Sequence, residues 1–405
     1  MPDFVVGNFT STEEILGPSS QPGATISVAE GEKVIDMDPV IKKLDPDSTQ
    51  FTTMSTRASA RITTREKANW LEEQYVNNVF TTTAGYTAGA ATVTVSAADA
   101  ASILPNDIIR NMRTGEALLI GSVNTGTGAL TIAQTSVGSV ANAAGNSGDK
   151  LLFIGSAFPQ GASLPNMKYS QRVLGYNFTQ IFRTVWNFSL TATSIELYGG
   201  NEPAKEGARK AVEHKRELEE NGFFGARDFY ATAQDPQGAA GGLIEFIVTN
   251  KQNVNGELTS DFLDQFLATV LAKGTSDKVM FTGTIGAYYI SRFNRSGQGA
   301  FWRPGRDNVH GVQVDGFISG VFGYEIPVVV KKEWANTPSG AAGYNGNLFV
   351  VDMNNIEKRP LRDRATKMLT NRQNPGDDRY AAEYLTEQTW EIAVEKSHGL
   401  LYGIA

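Results

Sequence analysis

Three histidines, 43 carboxylates and no cysteine bound the chemistry open to this chain of 405 residues. His214, His310 and His398 lie far apart, and no His-Glu-x-x-His or similar pair exists, so each reads as a surface residue. Absent thiols exclude disulfides, zinc–thiolate sites and thiol catalysis. No Gly-x-x-x-x-Gly-Lys-Ser/Thr is present to cradle a phosphate, and no Gly-x-Ser-x-Gly to expose a nucleophile. Gly126-x-Gly128 lacks the third glycine and the following helix of a dinucleotide turn. Asp36-Met37-Asp38 and Asp377-Asp378 could hold a cation, but adjacent loop carboxylates read first as solvated. Trp302, Arg303 and Arg306 could stack on a base or phosphate, yet read first as subunit or loop contacts. The expectation is therefore no catalytic residue, no cofactor and no metal.

Composition narrows the class further. Hydrophobic residues make up 41% of the chain, enough for a sizeable core. The 36 basic and 43 acidic residues leave a net charge of −7, which argues against bulk electrostatic binding of nucleic acid. No run of 18 apolar residues is present, so no membrane-spanning helix or membrane partner is expected. The polar stretch Met1 to Gln21 does not read as a signal peptide, so the sequons at Asn8, Asn177 and Asn187 read as incidental.

The elements that would position any site follow from periodicity. Residues 1–66, with Gly17-Pro18, Pro22-Gly23 and few clustered apolars, read as an arm, either free or lying across a neighbour. Residues 81–155 carry five β-like runs: Thr92–Val95, Asp107–Met112, Ala117–Val123, Ala129–Ala133 and Lys150–Ile154. Turn signals at Arg113-Thr114-Gly115-Glu116 and Asn124 to Gly128 separate them, so a β-meander or small barrel is expected. From Tyr176 to Thr191 the even positions are mostly apolar, which predicts one unusually long strand of roughly 50 Å.

A helix over 202–221 follows, with Asn201 as cap, Asn221-Gly222 as stop and Ala204, Ala208, Ala211 or Val212, Lys215 and Leu218 or Glu219 near one face. Its expected charge pairs are Glu206–Lys210, Lys215–Glu219 and Arg216–Glu220. Residues 225–350 alternate: a strand at Leu243–Val248, a helix from Ser260 to Gly274, a strand at Val279–Thr282, a helix at Ile285–Phe293, and strands at Ile326–Lys331 and Leu348–Val351. Gly297–Gly316 reads as a loop. In Glu383–Lys396 the alternation and the threonines favour a strand, with Glu383, Glu387, Glu391 and Glu395 on one side.

In this order the segments resemble the major capsid proteins of tailed bacteriophages, in the subfamily with a β-rich insertion in the extended loop. The resemblance rests on Glu66-Lys67-Ala68-Asn69-Trp70, Arg113-Thr114-Gly115-Glu116, Ala129-Leu130-Thr131-Ile132, Gly148-Asp149-Lys150-Leu151 and Ile154-Gly155-Ser156-Ala157. It continues at Tyr176-Asn177-Phe178-Thr179-Gln180-Ile181-Phe182, the most specific piece, then Glu217-Leu218-Glu219 and Gly222-Phe223-Phe224-Gly225, with an echo at His398-Gly399-Leu400. Gln134-Thr135 and Gln160-Gly161 depart from the family pattern, which touches loop contacts of the insert rather than the fold.

The resemblance implies an α+β Hong Kong 97-type phage capsid fold. Its parts would be an N-terminal arm over 1–66, an extended loop over 67–198 with a small β-barrel-like insertion, and a peripheral domain over 199–240 and 348–405 with a spine helix at 202–221. An axial domain would cover 241–347. It implies a structural protein rather than an enzyme, self-assembling as pentamers and hexamers into an icosahedral shell around double-stranded DNA. Its partners would be further copies of itself, a portal, and scaffolding or cement proteins, with packaged DNA near it only non-specifically. It would be made in the host bacterial cytoplasm and reside in the virion. Arg57, Arg61, Arg65 and Trp70, at the arm–loop junction, are the candidate intersubunit contacts. The competing readings are an adhesin-like β-rich surface or tail module, suggested by the Thr/Ala/Gly-rich insert, and an enzyme built on the 225–350 core.

Overall fold

The computed structural model describes residues 49–405 except 59–60, 74–76, 139, 169–171, 196–201, 231–234, 296–300, 310–311, 319–322 and 337–342. The expectations for Asn8, Asp36, Asp38 and His310 lie outside the described residues, as do the side chains of Arg57, Trp302, Arg303 and Arg306. The chain divides into two compact units. Among the described residues, one joins Arg183–His214 and Met368–Tyr384; the other joins Thr49–Phe182, Lys215–Lys367 and Leu385–Ala405.

The larger unit is organised by a mixed sheet of seven strands. Their spatial order is Lys251–Gly256, Gly399–Ile404, Leu348–Asp352, Lys278–Thr282, Glu325–Val330, Val312–Ile318 and Phe301–Val309. The central strand Lys278–Thr282 is buried at every position, because both faces of the sheet are covered. Met280, Leu348 and Val350 pack under the helices Ser260–Leu271 and Thr284–Arg295, with Leu263, Phe266, Leu267 and Ile290. Val279, Phe281, Phe349 and Val351 form the opposite cluster with Phe51, Met54, Phe223, Trp334 and Trp390. Each such side chain contributes about 1.5–3 kcal/mol when fully buried.

Phe51 and Met54 correct the expected arm. Residues Gln50–Ala58 form a helix whose apolar pair, three residues apart, is fully buried. A short amphipathic turn amid polar residues is too brief to register as a periodic signal, but one aromatic anchor suffices to hold it.

The insert contains six strands rather than five. They run in the order Val79–Thr81, Lys150–Ser156, Asp107–Asn111, Ala117–Asn124, Ala129–Gln134 and Thr92–Thr94. Thr82 bridges to Val95, and the Thr83 N–H donates to the Thr94 carbonyl at 3.0 Å. The first and last strands therefore meet, and the sheet closes as a small barrel around Phe80, Val93, Ile109, Ile120, Leu130 and Leu151. Of the two shapes open at the level of sequence, the barrel is the one formed.

Several elements differ from expectation for identifiable reasons. The long strand breaks at Thr179: Val173–Phe178 pairs with Lys67–Glu72, whereas Gln180–Ser189 pairs with Arg379–Ile392. It ends at Ser189, whose hydroxyl accepts the Ala192 N–H and caps the short helix Leu190–Ser194. The long helix spans Glu202–Phe224 and does not stop at Gly222. A Cβ there would lie 2.6 Å from Phe51 Cε1, so this glycine permits close packing rather than a cap. Residues 243–246 form a helical turn instead of a strand, because Gly242 leads into Leu243 and Ile247, buried one turn apart, while Val248 points outward. The expected loop at 297–316 includes strand Phe301–Val309, which with Val312–Ile318 extends the sheet as a hairpin and so satisfies its backbone groups. The C-terminal strand is Arg379–Ile392.

Candidate functional site: a buried polar framework and an exposed apolar ribbon

The segment 176–182 fastens strand, helix and C-terminal strand together. Asn177 is fully buried; its amide donates to the carbonyls of Trp390 at 2.8 Å and Gly241 at 3.0 Å and accepts the Gly241 and Phe178 N–H groups. Thr179 Oγ1 donates to Glu387 at 3.0 Å. Gln180 Oε1 accepts from the Asn221 amide and the Ala240 N–H, both at 3.0 Å. The Tyr176 ring lies between Lys67 Nζ, 3.8 Å from its centroid, and the Arg227 guanidinium, at 4.4 Å. Burial at Asn177 also leaves its sequon unavailable in the folded subunit.

Charge inside the subunit is paired with equal economy. Glu219 accepts the N–H groups of Phe51 and Thr52, both at 2.8 Å, and the Lys331 ammonium, which also meets Gln50 Oε1 at 3.3 Å. It thereby supplies, from the long helix, the N-terminal acceptor that Gln50–Ala58 needs. The expected helix pairs Lys215–Glu219 and Arg216–Glu220 give way to this contact and to Arg216–Glu333 at 3.3 Å, since both partners turn toward the core. Glu206–Lys210 forms, at 3.9 Å.

The acidic side of strand Arg379–Ile392 is buried and met by arginines. In the smaller unit Glu383 accepts Arg183 at 2.6 Å and Arg372 at 2.9 Å, and its carboxyl is held below the usual range by these partners against burial. In the larger unit Glu387 pairs with Arg364 at 2.7 Å. Glu391 and Glu357 sit directly opposite across paired strands and share Arg359. Burial outweighs that guanidinium and pushes Glu391 up to about 7.

Two histidines overturn the surface expectation. His214 is buried, with Nδ1 2.8 Å from Thr184 Oγ1. His398 is fully buried; Nδ1 accepts the Asp352 N–H and Nε2 donates to the Ala393 carbonyl, a neutral tautomer that burial enforces by pushing its pKa down to about 4. Isolated histidines among charged neighbours carry no signal of burial, which the packing alone supplies. In the insert, Asp149 accepts Arg113 twice, at 2.8 and 2.9 Å, Asn111 at 2.9 Å and the Asn146 N–H. The Arg113 and Asn111 hydrogen bonds hold its carboxyl well below the usual carboxylate range.

The four junction residues separate. Arg57 lies on the Gln50–Ala58 helix. Arg61 and Arg65 are exposed, beside strand Ile356–Pro360. Trp70 is 7% exposed: it packs on Gly175 directly opposite, meets the Phe246 ring at a tilt with centroids 5.8 Å apart and donates Nε1–H to Glu72 at 2.8 Å. On the other face of the same two-stranded ribbon, Leu71 and Leu174 are directly paired and stand 64% and 57% exposed, while Val173, opposite Glu72 on the Trp70 face, is 62% exposed. The period-two pattern in the sequence begins at Tyr176 and does not reach these residues. Among the described residues no three His, Asp or Glu side chains group to hold a metal, and Asp377 pairs with Arg379 at 2.7 Å.

Polar side chains committed to internal joints, together with a bare apolar ribbon, define a protein made for packing. Residues 11–405 match the SU10 major capsid protein family, and the chain belongs to that family. It is similar to a major capsid protein of Pseudomonas phage PaMx41, at 29% identity over 216 residues, 50% of this chain and 50% of that one. The chain thus spans about half the length of the curated relative it matches. Among solved structures it is similar to the capsid of a native GTA particle, with 12% identity, 93% and 98% of the two chains covered and a TM-score of 0.48. A Mycobacterium phage Cain chain gives 9% identity, 94% and 99% coverage and a TM-score of 0.48.

Proposed function

We propose that this protein is the structural subunit of a phage shell, with a Hong Kong 97-type α+β fold, assembling as pentamers and hexamers into an icosahedral container for double-stranded DNA. The carrying observation is the ribbon of Lys67–Glu72 and Val173–Phe178, which presents Leu71, Val173 and Leu174 to solvent. Exposed apolar side chains clustered at one edge mark a surface meant to be covered. A second copy is the cover that a capsid subunit meets most often, and membership of the capsid family supports it.

In this reading the residues before the Gln50–Ala58 helix cross to neighbours, 67–198 form the extended loop with the barrel insert, 199–240 and 348–405 the peripheral domain, and 241–347 the axial domain. The protein does no chemistry; it works by repeating modest contacts many times in a closed symmetry. It resides in the virion after synthesis in the bacterial cytoplasm, meets a portal, and uses scaffolding or cement proteins where assembly needs them.

Sedimentation velocity with negative-stain electron microscopy of the purified chain, across salt and protein concentration, tests this. Rings, shells or tubes are expected, and Leu71→Glu with Leu174→Glu should abolish them while leaving a folded ~44 kDa subunit. Shells from the double variant as stable as those of the parent would overturn the ribbon's role. A monomer at every condition, with or without co-expressed scaffold, would overturn the shell reading itself.

A further inference from the structure

The net charge of −7 conceals a local excess of the opposite sign. Segments 61–66 and 357–367 carry seven basic residues against three acidic ones. The fold sets them side by side. The Arg61 N–H donates to the Lys358 carbonyl at 3.1 Å, the Thr63 N–H to Pro360 at 2.9 Å and the Arg362 N–H to Thr63 at 2.9 Å, with Thr63 and Leu361 in a parallel bridge. Three of the cations are engaged inward: Arg359 with Glu391 and Glu357, Arg364 with Glu387, and Lys358, whose ammonium is disfavoured by burial.

The other four, Arg61, Arg65, Arg362 and Lys367, are exposed. None of them forms an ion pair with a described residue; Lys367 Nζ donates only to the Asp363 carbonyl. Glu66 and Asp363 are the exposed acids on the same segments.

We propose that this ridge binds the phosphodiester backbone of a DNA duplex without regard to sequence. Such binding needs cations within reach of phosphates and nothing more. The overall charge does not forbid it, because at physiological salt charges beyond about 8 Å are largely screened. A protein partner is disfavoured by what the ridge lacks: stable interfaces centre on apolar and aromatic side chains, and among the described residues here Ile62, at 63% exposure, and Met368, beside Lys367, stand singly among the cations. The proposal rests on the shell reading only for the source of the DNA.

The test uses the full-length dissociated subunit and a fluorescent 20-base-pair duplex, followed by anisotropy. Four phosphate contacts predict an affinity that falls about 100-fold between 50 and 200 mM salt. Changing Arg61, Arg65, Arg362 and Lys367 together to Gln should weaken binding by at least about 30-fold at 50 mM and flatten the salt dependence. The matching variant with the three arginines as lysine should keep most of the affinity, since charge alone is being read. Duplex binding that is absent in the parent, or unchanged in the Gln variant, overturns the proposal. So does a Gln variant that binds DNA as before but no longer self-associates, which would make the ridge a protein interface. Shell formation, read separately by sedimentation, reports on the assembly reading and not on this one.

Discussion

Lys331 and Glu219 form an ion pair in which both side chains are at most 1% exposed, and the same carboxylate closes the N-terminus of the helix Gln50–Ala58. Residues from three distant stretches of chain thus meet at one buried charge. Removing only the acid leaves a buried cation and two orphaned N–H groups. Glu219→Ala should cost about 3–5 kcal/mol in urea unfolding of the dissociated subunit. The pair Glu219→Leu with Lys331→Met should cost clearly less, because no cation is stranded; the Phe51 and Thr52 N–H groups lose their acceptor, Gln50 Oε1 loses this donor, and Glu333 keeps Arg216. Equal losses for the two variants would show that the charge is not what matters.

Asn177 allows an isosteric test. Asn177→Asp keeps the shape but points an acceptor at the Trp390 and Gly241 carbonyls, where the amide now donates. We expect a loss of about 2–4 kcal/mol, at least as large as for Asn177→Ala. Thermal unfolding at pH 7 decides it; an Asp variant that melts with the parent would exclude hydrogen bonding as the role of this residue.

Gly222 sets helix propensity against packing. Ala at an exposed helical site gains about 1 kcal/mol over Gly. Here its Cβ would sit 2.6 Å from one Phe51 ring carbon and 3.3 Å from Trp390 Cε2. Gly222→Ala is therefore expected to destabilise, and adding Phe51→Leu should recover part of the loss relative to Phe51→Leu alone. A stabilised single variant would refute the close-approach account.

Two buried groups tilt stability in opposite directions with pH. His398 titrates near 6.5 when unfolded and is pushed down to about 4 when folded, so its contribution is present above pH 6.5 and is lost as pH falls toward 4. Glu391 is pushed up from its ordinary 4.5 to about 7, so its contribution is present below pH 4.5 and is lost as pH rises through 7. Each is worth about 2–3 kcal/mol across its window, and the two offset each other between pH 4.5 and 6.5. The slope of the parent's unfolding free energy over that range is the reference. Relative to it, Glu391→Gln should make the free energy fall on acidification, and His398→Asn should make it rise. Identical slopes for parent and both variants would sink this account.

The insert should respond locally to loss of its turn. Arg113→Ala removes two bonds to Asp149 and one to the Ala144 carbonyl. Hydrogen exchange is expected to rise in Asp107–Asn111, Ala117–Asn124 and Lys150–Ser156 and to stay unchanged in the seven-stranded sheet. Because the Asp149 carboxyl is held well below its ordinary range, the parent insert should keep its protection through pH 4 and lose it only in stronger acid.

Much of this was legible in the sequence because local pattern and burial agree. The insert strands at 107–112, 117–123 and 129–133, the helix ending before Gly274, the all-apolar run at 279–281 and the alternation of 383–392 are periodic over enough residues to speak for themselves. Motif order also carried the family, since Tyr176 to Phe182 is a joint in which Asn177, Thr179 and Gln180 each bond a distant partner. The absence of any motif for catalysis was equally a property of the sequence.

Tertiary structure decided what depends on a second stretch of chain. It divided the expected 16-residue strand at Thr179, because the two halves find different partners. It ran a helix through Gly222, where Phe51 leaves room for no side chain, and drew residues 50–58 out of the expected arm into the core. His214 and His398 read as surface residues and Glu219 as the helix partner of Lys215 until packing removed them from water, and the segments of Arg61 and Arg362 came together only through a parallel bridge. Periodicity reports which face of an element is apolar; it holds no record of which element covers that face, and burial, pairing and local charge density are properties of the cover.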